Sequence, residues 1–581
     1  MKPSNDAVLA ALRQLVAYTQ LEDGQSQSFR TRAYEKAIDG IGSLSSDVAD
    51  MSLAQLKAVD GVGESTAKKV QEYVETGKID KVERLKEKFP ATMLELMKIP
   101  GLGPKTILQL QKDLGVVDVG GLRKAIEEEK LRQLPGLGKK SEEKIASAIE
   151  LLGIHSDETR TPIFDAMRIA TRVIADLERL EEVGTIEYAG SLRRLSETIG
   201  DVDILVTSSD ADAVISAFVE LPGVTSVLGS GTTKASVVVD DVMQVDLRVV
   251  EADAFGAALL YFTGSKGHNI ELRQRAQDRG LTLNEYSLSK VEGGDVVAAA
   301  TEESIYDALD LPWFTPEVRE GTGEIKAALD GQMPEPFEVS MLRGDLHVHS
   351  DWSGDGRSTL DEMLQAAVDR GLEYVAITDH AEDLAINGLS RERVLEEQSV
   401  LEDARKRFKK LTILHGAELN IGPDGGVDYD PEFLEVFDFT VASIHSHFDL
   451  DENMQTDRLI TAMKNKAVTV IGHPSGRKIG RRPGVRFNVE AVATSAAETG
   501  TALEINSHLQ RLDLSSSHIR TAVGIEGVMF AVSTDAHHTT EIANSRWGAA
   551  QARKGWVPAN RVVNSLPIGE FRAWMTRKRN G

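Results

Sequence analysis

No cysteine occurs among the 581 residues, so disulfides and thiolate-bound zinc are excluded, and a reducing cytoplasm is the expected setting. No apolar run is long enough to span a bilayer, and Asp6 and Arg13 interrupt the first apolar stretch, so the start does not read as a secretory signal. A basic excess is missing as well. Lys and Arg number 66 against 91 Asp and Glu, a net charge of −25, which by itself speaks against nucleic acid as a partner. The deficit is uneven, however. Residues 1–155 carry 23 Lys/Arg and 23 Asp/Glu, so all of it lies in the remainder. Carboxylates that bind cations account for part of that acidity. DNA contact is therefore expected to be modest, salt-sensitive and centred on the N-terminal part.

With 41% apolar residues and this length, the chain is expected to build about three or four domains. Residues 1–155 read as short helices, with helical periodicity in Val8–Tyr18 and Ala67–Val74. Three similar turns interrupt them, at Gly61-Val62-Gly63, Gly101-Leu102-Gly103 and Gly136-Leu137-Gly138, each opening a helix with Lys or Ser near its start. Such glycines let amides at a helix N-terminus approach a phosphate without reading any base. The pattern is that of helix-hairpin-helix motifs. Residues 156–320 alternate strands and helices, 321–341 form a polar linker rich in Pro and Gly, and 342–575 show regular α/β alternation.

The most informative motif is Gly200-Asp201-Val202-Asp203, whose first glycine stands ten positions after that of Gly190-Ser191-Leu192-Arg193-Arg194. Two carboxylates two residues apart on a strand share a face, and Asp246 on a neighbouring strand would complete a site for two divalent cations. The upstream turn offers amides, the Ser191 hydroxyl and the Arg194 fork to a triphosphate. These parts describe nucleotidyl transfer.

In the last segment, apolar runs end in polar residues seven times, at Asp345-Leu346-His347, Thr378-Asp379-His380, Gly416-Ala417-Glu418, Ile444-His445, Gly472-His473-Pro474, Glu504-Ile505-Asn506 and Thr534-Asp535-Ala536-His537. In parallel barrels the chemistry sits at that end of the strands, so a (β/α)7 barrel is expected. Eleven of the 13 histidines lie here. His347, His349, Asp355, His380, Glu418, His445, His473, Asp535 and His537 make nine candidate ligands, too many for one ion and suited to about three, with the mixed N and O donors of Zn²⁺ or Mn²⁺ sites. His447, His508 and His538 are extra polar neighbours. Arg477, Lys478, Arg481 and Arg482 could grip a DNA backbone.

Gly190 to Asp203 resembles the palm signature of family X DNA polymerases, the family of DNA polymerase beta. Tyr261-Phe262-Thr263-Gly264-Ser265 is similar to that family's nucleotide-binding turn, and Leu283-Asn284-Glu285-Tyr286 to its following strand. The final third resembles the PHP phosphoesterase domain of bacterial and archaeal members. The resemblance implies a helical, helix-hairpin-helix N-terminal region with a lyase-like 5′-phosphate site, an α+β nucleotidyltransferase palm with thumb, and a (β/α)7 PHP barrel.

It also implies roles. Asp201, Asp203 and Asp246 would hold Mg²⁺ or Mn²⁺, and Ser191, Arg194 and Gly200 the β and γ phosphates. Tyr261 and Gly264 would lie at the incoming sugar, Asn269 at the minor-groove edge of the base and Arg273 at the template; Lys266 stands where some relatives carry an acid. Lys69 resembles the lysine that forms a Schiff base with an abasic sugar, which needs a pKa depressed by burial or by a neighbouring cation such as Lys68, and Arg30 and Tyr34 would line the 5′-phosphate pocket. The loop from His349 to the following acid is longer than usual in the family, so Asp351 competes with Asp355 for the ligand position.

The expected function is gap-filling, template-directed DNA synthesis on gapped or nicked DNA with dNTPs, by a monomer acting in base excision repair or end joining. A metal-dependent 3′–5′ exonuclease would reside in the barrel. The alternatives are a DNA-binding end-processing protein with an inert palm, and a barrel acting as a small-molecule phosphatase.

Overall fold

The computed structural model describes residues 5–25, 28–42, 48–59, 61–97, 99, 102–151, 160–384 and 387–580. Packing delimits two units: Met1–Arg160 with Ser216–Ser230 and Ala235–Val245, and Thr161–Ile215 with Gly231–Lys234 and Asp246–Gly581. The boundary expected at residue 155 falls outside the described residues. No helix among the described residues is long and apolar enough to cross a membrane.

In the first unit the glycine turns work through what lies between the glycines. Val62, Leu102 and Leu137 are buried in the helical core, which leaves the flanking turn at the surface. Gly63 and Gly103 then cap the helices Glu64–Thr76 and Pro104–Leu114, and Gly138 precedes Lys139–Leu151. Gly61 (φ +74°) admits no side chain, because a Cβ there would meet the Lys36 carbonyl oxygen at 2.5 Å. Gly136 has φ +84°. Gly101 lies outside the described residues. The core joins these helices to Asn5–Asp23 through Leu12, Leu15, Val70, Ile107 and Leu110.

In the second unit the strand Asp201–Ser208 lies between Val183–Tyr188 and the strand Met243–Val249, of which this unit holds Asp246 onward. Val202, Ile204, Leu205 and Val206 are all fully buried, so both faces of this strand are covered and the acidic residues stand only at its start. Helices Phe255–Thr263 and Lys266–Gln277 follow, then an antiparallel sheet of Leu281–Leu283, Leu288–Lys290 and Val296–Ala298. That sheet corrects one sequence expectation. Only Leu283 of the Leu283–Tyr286 run is in a strand, because the Asn284 side chain accepts from the amides of Tyr286 (2.9 Å) and Ser287 (3.0 Å) and turns the chain there.

Seven parallel strands follow, Gly344–Val348, Tyr374–Ile377, Thr412–Asn420, Phe439–Ser443, Val470–Gly472, Ala502–Asn506 and Phe530–Ser533, paired in sequence order. The first and last meet through a parallel bridge from Val348 to Ala536, where the His349 amide donates to the Ala536 carbonyl at 2.8 Å. This nearly closed barrel removes the exposed edges that an open sheet would present. Leu346, Tyr374, Phe439, Val470 and Phe571 belong to one of its buried apolar clusters. Polar residues can therefore collect at the carboxyl ends of the strands.

Candidate nucleotidyl-transfer site and metal centre

The start of the strand Asp201–Ser208 and the middle of Met243–Val249 bring Asp201, Asp203 and Asp246 together. Asp203 is pushed up to about 7, first by burial and then by the charges of Asp201 and Asp246. A buried carboxylate whose ionisation its acidic neighbours oppose marks a site that a divalent cation would relieve. The Lys234 ammonium lies 4.0 Å from Asp246 and supplies part of the missing positive charge. Gly190 (φ +63°) lets the upstream turn approach, since a Cβ on it would fall 2.7 Å from the Asp203 carboxylate. Ser191 lies in the same short turn, Gly190–Arg193, and Gly200 directly precedes Asp201.

The two arginines of that turn are tied into the following segment. Arg193 donates to Thr263 Oγ1 at 2.8 Å and pairs with Glu302, which Arg319 also holds. Burial alone would raise the Glu302 carboxyl, but Arg319 and Arg193 bring it down to about 2. Arg194 donates to the Thr263 carbonyl at 2.6 Å and reaches Glu320 at 3.4 Å, so its fork as placed braces the turn that contains Thr263. Tyr261, Asn269 and Arg273 line one crevice with Asn284; Asn269 donates to the Tyr261 carbonyl (2.8 Å) and Arg273 to that of Asn269 (3.1 Å). Gly264 follows Thr263 at φ +68°, and Lys266 opens the next helix.

At the carboxyl end of the barrel, Glu418 is the hub. Its carboxylate lies 3.5 Å from His347, 3.6 Å from His349, 2.9 Å from His380, 3.2 Å from His445 and 3.0 Å from His473. Asp535 stands 3.6 Å from His347, 3.4 Å from His349 and 3.8 Å from His537. Asp355 lies 3.1 Å from His380 and 3.5 Å from His537. All nine expected residues thus converge.

The donor set fits metal ions. Buried atoms of His347, His349, His380, His473, Glu418 and Asp355 make no hydrogen bond of proper geometry despite this crowding, which is costly unless cations bind them. Three overlapping groups form, His349/His380/His537, His347/His349/Glu418 and His380/Glu418/His445, each with ligand atoms within 4.8 Å of one another. The imidazoles are also driven in opposite directions. Burial opposes charge on His380 and His349 alike, yet Glu418 and Asp355 raise His380 to about 10, whereas burial and then His537 and His380 bring His349 to about 4. His473 (φ 23°) and Asp535 (φ 55°) hold backbone angles that cost on the order of 1–3 kcal/mol, as strained functional residues do.

Asp351 does not join the cluster, since its carboxylate accepts from the Leu360 amide at 3.1 Å. The long loop folds tightly on Gly356, where a Cβ would fall 1.8 Å from the Ser350 carbonyl oxygen. Asp379, read only as a strand-end residue, holds that loop through Ser350 (amide 2.8 Å, hydroxyl 2.6 Å) and Ser353.

Four residues around the ligands carried no role in the sequence reading. Glu504 takes His347 Nδ1 at 2.7 Å, Asn420 takes His445 Nδ1 at 2.7 Å, Asn506 donates to Asp535 at 3.1 Å, and Arg511 lies 3.3 Å from Asp535. Spacing could have signalled two of them, because Asn420 is two residues beyond Glu418 and Asn506 two beyond Glu504 on the same strand faces. Among the extra histidines, His447 and His538 are bonded locally to Ser446 and Thr540, and His508 stacks on Phe164 with ring centroids 6.0 Å apart.

In the helical unit, Tyr34 is buried with two ammonium groups near its ring, Lys69 at 5.7 Å and Lys81 at 5.9 Å. The Lys69 pKa is lowered by burial and then by Lys81. Burial is one of the two expected causes; Lys68, the neighbouring cation given for the other, pairs with Glu64 at 2.8 Å. Consecutive helical residues diverge, so the cation beside Lys69 comes from the next helix. Arg30 pairs with Asp23 and, at 3.2 Å, with Glu22.

Comparison with protein families matches the DNA polymerase beta palm to residues 160–257, the DNA polymerase beta thumb to 258–320 and the PHP domain to 345–508. A helix-hairpin-helix domain matches 3–79 and a SAM-like helix-hairpin-helix tandem 93–150. The DNA polymerase/3′-5′ exonuclease PolX of Bacillus subtilis is 36% identical over 573 residues, covering 98% of this chain and 99% of that protein. The chain belongs to the PolX-type family X DNA polymerases. It is also similar to DNA polymerase lambda of Rattus norvegicus, 27% identical over 335 residues (51% of this chain, 53% of that protein). A probable phosphatase of Syntrophotalea carbinolica is 35% identical over 168 residues, 28% of this chain and 65% of that protein.

In this family X polymerase the barrel also braces the palm. The Lys554 ammonium, 12% exposed, donates to the carbonyls of Arg194 (2.8 Å) and Leu195 (3.1 Å) and pairs with Glu320 (2.9 Å). Lys554→Ala should therefore loosen the turn that carries Ser191 and Arg194. The expected result in single-nucleotide extension kinetics is a dNTP KM raised about tenfold, the equivalent of 1.4 kcal/mol, with 3′-end removal retained.

Proposed function

We propose that this polymerase fills short gaps in DNA under template direction, as a monomer in the cytoplasm, and that its barrel removes nucleotides from 3′ ends. Base excision repair is the setting that joins these activities, and trimming of unpaired ends would also serve end joining. The observation that carries the reading is that one chain holds two separate donor clusters, three carboxylates in the palm and nine imidazoles and carboxylates in the barrel. The similarity to a DNA polymerase/3′-5′ exonuclease over almost the whole chain supports it.

On this reading Asp201, Asp203 and Asp246 hold Mg²⁺ or Mn²⁺, and about three Zn²⁺ or Mn²⁺ ions bind among the nine barrel residues. Bound cations supply Lewis acidity and lower the pKa of a coordinated hydroxyl. The chain's residues do the positioning. Ser191, Arg194 and Gly200 face the triphosphate, with Arg194 exchanging its Glu320 contact for phosphate. Tyr261 and Gly264 border the sugar, Asn269 the base edge and Arg273 the template. The glycine turns at 61–63, 101–103 and 136–138 hold backbone phosphates on the two sides of the gap. In the barrel, Glu504 and Asn420 fix the tautomers of His347 and His445, so that each presents its other ring nitrogen to the site.

A 5′-labelled primer on a one-nucleotide-gapped duplex with Mn²⁺, with and without dNTPs, tests both halves. Extension should vanish in Asp201→Ala alone and shortening in His347→Ala alone. Wild-type protein that does neither would leave DNA binding without catalysis as the better account.

The similarity to a probable phosphatase favours a second reading of the barrel, in which it turns over p-nitrophenyl phosphate and leaves DNA intact. For the N-terminal unit we propose 5′-phosphate binding by Arg30, Tyr34 and Lys69, with Lys69 as a lyase nucleophile. Its lowered pKa supports that role. Borohydride should then trap wild-type protein, and not Lys69→Ala, on DNA with a 5′ abasic sugar.

A further inference from the structure

Beside the barrel's metal centre, two loops bring several cations to one edge. Lys478, Arg481 and Arg482 come from the loop after the strand Val470–Gly472, and Arg511 from the loop after Ala502–Asn506. The loops are stitched together, with the Ile479 amide donating to the Gln510 carbonyl at 2.6 Å and Arg477 Nε to the Arg511 carbonyl at 2.8 Å. Within the first loop, Lys478 and Arg482 exchange backbone hydrogen bonds of 2.8 Å. Arg477 itself is committed to this frame, since it also bonds Leu512 and, at 2.8 Å, Glu197.

Lys478, Arg482 and Arg511 are incompletely answered. Arg511 reaches Asp535 through Nε, but its Nη1 is buried without any hydrogen bond. The Lys478 pKa is brought down to about 8, first by burial and then by Arg511 and Arg482. The one acid that acts appreciably on it is Asp535, which the metal centre would claim. Arg482 is backed by the Phe448 ring, 4.0 Å from its guanidinium carbon, and donates to the Gly476 carbonyl at 2.9 Å. Like charges held together on a stiff frame repel, and an anion bound between them would relieve that repulsion.

We propose that Lys478, Arg482 and Arg511 form a subsite that holds the phosphate next to the scissile one, and so select a DNA strand over a lone phosphate ester. The inference rests on the barrel being a 3′ nuclease and adds the group that recognises its substrate. The metal ligands meet the phosphate being cut. The loop cations adjoin them at Asp535, which Arg511 touches, and on this proposal they take the neighbouring phosphate of the same strand, since guanidinium and ammonium donors hold phosphate by charge-assisted hydrogen bonds.

The test compares two substrates on the metal-loaded full chain: a single-stranded oligonucleotide, and the p-nitrophenyl ester of thymidine 5′-monophosphate, which has one diester and no neighbouring phosphate. For Lys478→Ala and Arg482→Ala, the ratio of kcat/KM on the oligonucleotide to that on the ester should fall about tenfold, the effect of one lost charged contact. Lys478→Arg should restore most of it. For Arg511, which touches Asp535, Arg511→Lys is read alongside bound-metal analysis, and the ratio should fall with metal content at the wild-type level. A ratio within twofold of wild type in Lys478→Ala and Arg482→Ala overturns the proposal. If wild type cuts neither substrate, the nuclease reading fails separately. Calorimetric binding of a trinucleotide then decides the subsite, with weaker binding by Lys478→Ala supporting it and equal binding overturning it.

Discussion

Glu418→Gln is expected to abolish 3′-end removal and to strip metal from the barrel, while primer extension continues. Five imidazoles surround this one carboxylate, so no other side chain in the cluster has so many neighbours to satisfy. Burial alone would raise its pKa, but His445, His347 and His380 outweigh burial and hold it well below the usual carboxylate range. A glutamine keeps the volume and removes the charge. The imidazoles would then crowd without a counter-charge, and the cations that Glu418 would hold would lose an anionic donor worth several kcal/mol, so the rate should fall on the order of a thousandfold or more. Metal analysis of the purified variant and shortening of a labelled 3′ end measure the two effects. Normal metal content with full nuclease activity would show that the cluster is structural.

The second large effect belongs to Asp203. Asp203→Asn should end primer extension, with a loss on the order of a thousandfold or more for a missing catalytic metal ligand, and leave 3′-end removal in place. It should also change how stability depends on pH. Without Mg²⁺ the folded-state pKa is raised to about 7 from an ordinary 3.8, so the folded state binds the Asp203 proton more tightly than the unfolded chain does. Stability from this group is therefore intact below about pH 4 and is lost progressively as pH rises to about 7. Mg²⁺ favours the ionised trio and reverses that loss. Thermal melts of protein whose barrel is already loaded should show a Mg²⁺-induced rise in Tm that is small at pH 5.5 and larger at pH 8. In Asp203→Asn the metal-free Tm at pH 8 should be higher than wild type and the Mg²⁺ response much reduced. An equal response at both pH values would mean that the three carboxylates do not share a cation.

Much of this was legible because the chemistry sits at the ends of regular elements. Asp201 and Asp203 alternate with buried Val202 and Ile204, and the barrel donors close apolar runs, so both clusters follow from period-two patterning and chain order. The unreadable parts depend on side chains that meet across the fold. Lys68 stands next to Lys69 in sequence but bonds Glu64, and Lys81 arrives from another helix. Arg477 looks as free as Lys478 in the sequence, yet it is fixed to Glu197 and to the loop that presents Arg511.

The sequence by itself determined the family, the three palm carboxylates, the seven barrel strands and the nine candidate ligands, because residue type and spacing already restrict which groups can share a face. Only the tertiary structure placed Asp355, and not Asp351, beside His380, made Glu418 the hub, tied Lys554 to the Arg194 turn and placed Arg511 beside Asp535. Those outcomes turn on distances of a few ångströms between residues remote in the chain. Loop closure and packing set such distances, and no local pattern records them.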